Sequence, residues 1–219
     1  MAHIPEGVLS APVLIAGAVV TAASVAYAIR QLDYDRLPQA AVLAACFFVA
    51  SLVAVPAGPS SVHLLLNGLM GLMLGWLAVP ALLVALLLQA VFFGFGGLLV
   101  LGVNCLDIAL PALLSYYLVS PWLNRALLAN NRRQLFISGM VAGAIGVAGT
   151  GSLVCLALVL SGPQYLAAGK VILLTYLPLL LVESLITGAI VGFVAKVAPE
   201  LLLKQLPQPL VAEESHATR

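Results

Sequence analysis

Long apolar runs separated by short polar breaks organise this chain. One run extends from about Ser10 to Ile29 and a second from about Gln39 to Val55, with the charged link Arg30 to Arg36 between them. Gly58, Pro59, Ser60 and Ser61 then break the pattern. The apolar stretch from His63 to Val103 would reach about 60 Å as one helix at 1.5 Å per residue, against a hydrocarbon core of about 30 Å. It is expected to fold back once, with Pro80 as the breaker. The glycines Gly94, Gly96 and Gly97 interrupt it again. Further runs cover Asn104 to Tyr117, Leu135 to Leu160 and Val171 to Val194, and the polar segment Asn124 to Gln134 separates the first two. From Pro199 the chain turns polar, and Gln205 to Arg219 reads as a mobile tail.

This pattern predicts an all-α fold, a polytopic transmembrane bundle of about seven helices. Residues 1–198 would form a single bundle and 199–219 a cytoplasmic tail. Composition agrees: 63% of the 219 residues are hydrophobic and 8% charged, too few polar groups to clothe a water-soluble surface. Lys and Arg of short loops favour the cytoplasmic side. With the N-terminus outside and the C-terminus in the cytoplasm, Arg30, Arg36, Arg125, Arg132, Arg133, Lys196, Lys204 and Arg219 all fall there, and Lys170 alone does not. That predicts a multi-pass protein of a bacterial or archaeal plasma membrane. The net charge is +1 and the basic residues are scattered, so nucleic acid is not expected as a partner. Cys46, Cys105 and Cys155 lack any C-x-x-C spacing and read as packing residues.

The chain carries no H-E-x-x-H or G-x-S-x-G signature. Around Gly162 to Lys170, Val171 stands where a phosphate loop requires Ser or Thr, so ATP hydrolysis is expected in a separate chain. Asp107 and Glu183 fall within or beside apolar spans, where charge is costly, and are functional or structural candidates by default. An intramembrane enzyme using these two carboxyls in acid–base work is one alternative reading. A vitamin-binding transport subunit is another.

The histidines offer a more specific chemistry. His3 lies close enough to the terminus for the terminal amine, a backbone amide and its imidazole to wrap one late first-row divalent ion. If Met1 is removed, the Ala2 amine, the His3 amide and the His3 ring are three nitrogen donors, and His63 completes the plane. If Met1 stays, its amine, two amides and His3 already make four, and His63 becomes an axial or outer group. The predicted topology brings the N-terminal strip, the turn before His63, the glycine cluster and Asn104 to one depth at the outer face.

Several segments together carry a resemblance. They are His3 to Ser10, Gly58 to His63 with Asn67 and Gly68, Gln89 to Gly94, Gly96 with Gly97, Gly102 with Asn104, and Glu183 with Thr187 and Gly188. In this order they resemble the CbiM/NikM family, the substrate-binding membrane subunits (S components) of cobalt and nickel energy-coupling-factor transporters. The resemblance implies an importer subunit with no permanent cofactor, whose transported ion is Co(II) or Ni(II), cobalt for cobalamin synthesis being somewhat favoured. The ion is held by Ala2, His3 and His63, or by Met1 where it is retained. Phe95, Gly96, Gly97, Asn104 and Asp107 surround the site. Where many members have Asp and Asn, this chain has Phe95 and Asp107. The resemblance also implies a membrane coupling protein, a pair of cytosolic ATPases and a small accessory membrane protein as partners. The stripe Ala18, Ala22, Ala26 on the first helix resembles the faces that such subunits use for docking, and Glu183 is a structural or coupling candidate.

Overall fold

The structure, a computed structural model, describes residues 3–52, 54–57 and 60–203. It is a bundle of α-helices with one small hairpin. In chain order these are α1 (Ala11–Arg30), α2 (Leu37–Ala50), β1 (Ala54–Ala57), β2 (Ser60–His63), α3 (Asn67–Leu74), α4 (Ala78–Phe93), α5 (Leu101–Leu128), α6 (Arg132–Ser161), α7 (Leu166–Val197) and α8 (Glu200–Leu203). Among the described residues five stretches are long and apolar enough to cross a membrane, with 67–93 counted as one run. The protein is a multi-pass membrane protein with an all-α bundle.

Within 67–93 the chain does reverse once. α3 runs alongside α5, with Asn67 against Ile108 and Gly71 against Ala112. At the far end Gly75 takes a left-handed φ of +57° against the Tyr116 ring, and α4 then climbs back to the loop beside Asn104. The breaker is therefore Gly75, not Pro80. Pro80 sits in the first turn of α4, where its missing N–H costs no helical hydrogen bond. The second run also ends earlier than its apolarity implied, because α2 stops at Ala50 and Val55 belongs to β1, which pairs antiparallel with β2. α5 in turn continues through Pro111 and Pro121 to Leu128, absorbing part of the segment read as a loop.

Close backbone approach holds the second half together. A Cβ on Gly139 would lie 2.8 Å from Gly188 Cα, and one on Gly143 would lie 3.0 Å from Ser184 Cα. Glycines let α6 and α7 touch where lipid supplies no hydrophobic drive for association. Gly192, one turn beyond Gly188, faces open space and takes no part in this contact. α1 packs on α5 through Gly17, and Thr21 Oγ1 donates to Gly102 O at 2.6 Å. Ala18, Ala22 and Ala26 lie on the exposed side of α1. After α7 the short α8 docks back, with Leu202 buried and Gln39 Nε2 donating to Leu201 O at 3.3 Å. The tail expected from Gln205 onward lies outside the described residues.

Candidate metal centre

Residues 3–10, ahead of α1, form a strip that tucks back against the bundle. Ile4 and Leu9 are buried with Val100, Val103, Val154 and Leu158, so apolar burial supplies the drive for docking. Polar clamps set its register. Asn104, near the start of α5, accepts from Ile4 N at 2.9 Å and donates to Ile4 O at 3.2 Å. Glu6 N donates to Gly96 O at 3.1 Å, and Glu6 Oε1 accepts from Leu99 N at 3.0 Å. Ser10 N donates to Ser161 Oγ at 3.1 Å.

The glycine cluster is what allows this fit. Gly96 has φ +76°, a region that side chains disfavour. A Cβ there would lie 2.6 Å from Asn104 Nδ2 and 3.4 Å from His3 Cβ. A Cβ on Gly97 would strike the Glu6 side chain. The loop is therefore bare where the strip crosses it.

Docking brings His3 to His63. Their ring centroids are 5.2 Å apart and the planes meet at 25°, and the rings are only 6% and 5% exposed. Phe95 also stacks with His3, at 6.0 Å between centroids. Burial, then the neighbouring His63, holds the His3 imidazole well below the usual histidine pKa. Burial lowers His63 as well, against an opposing contact to the Leu64 carbonyl. Both rings are thus kept neutral, the form that binds metal. His3 Nε2 is buried without a hydrogen-bond partner among the described residues.

Gln89, fully buried on α4, is the polar neighbour of His3. Its orientation is fixed from behind. Ser51 Oγ donates to Phe48 O at 2.7 Å, so its oxygen is left to accept from Gln89 Nε2, also at 2.7 Å. Gln89 Oε1 is consequently the atom turned away from Ser51, and among the described residues it too is buried without a hydrogen-bond partner. An acceptor on Gln89 next to His3 favours a proton on the facing ring nitrogen and leaves the other nitrogen free for an ion.

His63 is held from α7. Just beyond β2 the chain enters the bundle in a non-helical stretch, where unpaired backbone N–H groups would be costly. Glu183, 0% exposed, accepts from Leu65 N at 3.0 Å and from Leu66 N through its other carboxyl oxygen. Asn67 then anchors the start of α3, its amide nitrogen facing Ile108 O, Gly146 O and Thr150 Oγ1 at 3.0–3.3 Å.

The structure thus gathers His3, His63, Phe95, Gly96, Gly97 and Asn104 at one end of the bundle. Asp107 stands apart, one turn deeper than Asn104, with Oδ2 buried and without a hydrogen-bond partner among the described residues. Met1 and Ala2 lie outside the described residues. Among the described residues, no three His, Cys, Asp or Glu side chains come together. Sequence reasoning missed Glu6 and Gln89 as site residues. Gln89 had a signal, since it is one polar side chain in an otherwise apolar run.

Comparison with known proteins identifies the family. The family described as the cobalt uptake substrate-specific transmembrane region, CbiM, matches residues 3–201. The chain belongs to the CbiM family. It is 43% identical to a metal transport protein of Haemophilus influenzae, over 91% of this chain and 96% of that protein. It is 34% identical to the fused nickel transport protein NikMN of Rhodobacter capsulatus, over 91% of this chain and 63% of the fusion. A solved structure of a transition metal transporter superposes with a TM-score of 0.72 at 25% identity, covering 92% of this chain and 96% of that one. The chain is therefore the substrate-specific transmembrane component of a cobalt or nickel uptake system, not an enzyme. The intramembrane-enzyme and vitamin-binding readings fall with that assignment.

Proposed function

We propose that this CbiM-family chain captures one Co(II) or Ni(II) ion between the N-terminal strip and β2, as the S component of an energy-coupling-factor importer. The observation that carries the reading is the buried His3–His63 pair, 5.2 Å between ring centroids, on a strip clamped by Asn104. His3 and His63 supply neutral imidazoles. The amide of His3 and the amine at the start of the chain, on Ala2 or Met1, supply the remaining nitrogens, a set that suits late first-row ions. Gly96, Gly97 and Phe95 shape the wall of the site, and Asp107 is a deeper polar group that does not ligate.

A site built once, at one end of the bundle, needs motion of the protein to release its ion. That motion is supplied by a membrane coupling protein and a pair of cytosolic ATPases, with α1 docking through its exposed Ala18, Ala22, Ala26 face, and with a small accessory membrane protein beside it. The test is radioactive or fluorescent Co(II) and Ni(II) uptake in cells carrying this chain with and without the partner subunits. Uptake should need both His63 and the ATPases. Full-rate uptake without the ATPases would contradict the division of labour.

A further inference from the structure

We infer that Glu183 is a latch that presents His63 to the ion, so that the position of α7 sets metal affinity; this rests on the metal-capture reading above. Three observations on different elements carry it. First, Glu183 reaches back over more than a hundred residues of sequence to Leu65 and Leu66, using one carboxyl oxygen for each N–H. No helix or sheet supplies acceptors for these two groups. Secondly, Leu66 sits at φ +48°, a conformation that a leucine adopts only when its surroundings impose it. Thirdly, only Leu64 separates His63 from the latched residues, and the His63 ring turns Nδ1 towards Leu64 O at 3.2 Å.

The segment that follows His63 is therefore held to α7 by the Glu183 carboxyl group, alongside the packing of Leu65 with Tyr176 and Leu179. α7 also packs on α6 through Gly139 and Gly188, so any rearrangement of that helix pair moves the latch, and His63 with it. Asn67 fixes the following residue to α5 and α6 rather than to α7, which leaves residues 64–66 as the joint between them. Glu183 is a positioning residue. Its carboxyl oxygens accept from the backbone N–H groups of Leu65 and Leu66.

The experiment is titration of the full-length, detergent-solubilised protein with Co(II), read by calorimetry and by the Co(II) ligand-field spectrum. It compares wild type, His63→Ala, Glu183→Gln, Glu183→Asp and the double variant Glu183→Gln/Leu66→Gly. Glu183→Gln keeps one acceptor and loses the other, and should bind Co(II) about 10- to 100-fold more weakly, the usual effect of losing an outer partner of a ligand. Its spectrum should shift towards that of His63→Ala. Glu183→Asp keeps the carboxyl but shortens its reach, and should fall in between, which preserves the test if the Gln variant does not fold. Glycine at 66 removes the backbone penalty, so the double variant should regain part of the affinity. Folded Glu183→Gln or Glu183→Asp protein with wild-type affinity and spectrum would overturn the latch and leave the metal reading standing. Absence of binding in the wild type would overturn the metal reading itself.

Discussion

Asn104 brackets Ile4 from both sides, accepting from its N–H at 2.9 Å and donating to its carbonyl at 3.2 Å. One side chain on α5 thereby does for the strip what a neighbouring β-strand would do, and it does so at the residue after His3. Asn104→Ala leaves two buried backbone groups unpaired, a loss of about 1–3 kcal/mol each where water cannot replace it. The strip should undock, and metal affinity should fall at least tenfold while helicity, followed by circular dichroism, stays unchanged.

Gly96→Ala attacks the same contact from the other wall. The added methyl would sit 2.6 Å from Asn104 Nδ2, on a backbone at φ +76°. We expect a folded protein whose metal affinity drops by an amount similar to that of Asn104→Ala. The two effects should not add, because both act by displacing one strip. A double variant measured by calorimetry checks this.

Gln89→Leu removes the buried acceptor beside His3 and leaves Ser51 Oγ without its donor. If Gln89 holds the His3 ring in one tautomer, affinity should fall about 10- to 100-fold. Nitrogen-15 chemical shifts of His3 in the metal-free protein should change from one predominant tautomer to a mixture.

Acid should loosen the strip. Free of the bundle, His3 titrates near its ordinary value of about 6.5; docked, burial holds it lower. The undocked form thus binds more protons wherever the pH lies between the two values. Stability of docking is complete above about pH 6.5 and declines as pH falls below it. Hydrogen exchange of the Ile4 amide, corrected for the intrinsic rate, should speed up between pH 7 and 5 more than exchange at Thr21 on α1.

Much of the fold was legible in the hydropathy pattern, and the misplaced boundaries have physical causes. Apolar runs report burial in lipid or protein without reporting the backbone. Val55 is as apolar as its neighbours in α2 but lies in β1. Pro80 reads as a breaker, yet proline is harmless in the first turn of a helix, whereas Gly75 reverses the chain through a positive φ that glycine alone tolerates well. At the site, His3 and His63 stood out as rare residue types. Gly96 and Gly97 stood out as a cluster. Glu6 acts from an exposed position on the strip through a contact to Leu99 N, and nothing in its spacing announces that. Glu183 was visible as an intramembrane carboxyl, but its partners are backbone amides, which the side-chain sequence does not record.

The exposed alanine face of α1 separates capture from transport. Ala22→Phe adds bulk at an exposed position of α1. Metal affinity should stay within about twofold of wild type, whereas uptake driven by the partner subunits should drop several-fold. A parallel loss of both would place α1 in the site instead.

The most direct test of the central claim is calorimetric titration of the purified protein with Co(II) and Ni(II), after mass spectrometry of its N-terminus, beside His3→Ala and His63→Ala. Tight one-to-one binding to the native chain, lost in both variants while the fold persists, is the predicted result. Absence of binding to the folded native chain, or unchanged binding in either histidine variant, would contradict the site.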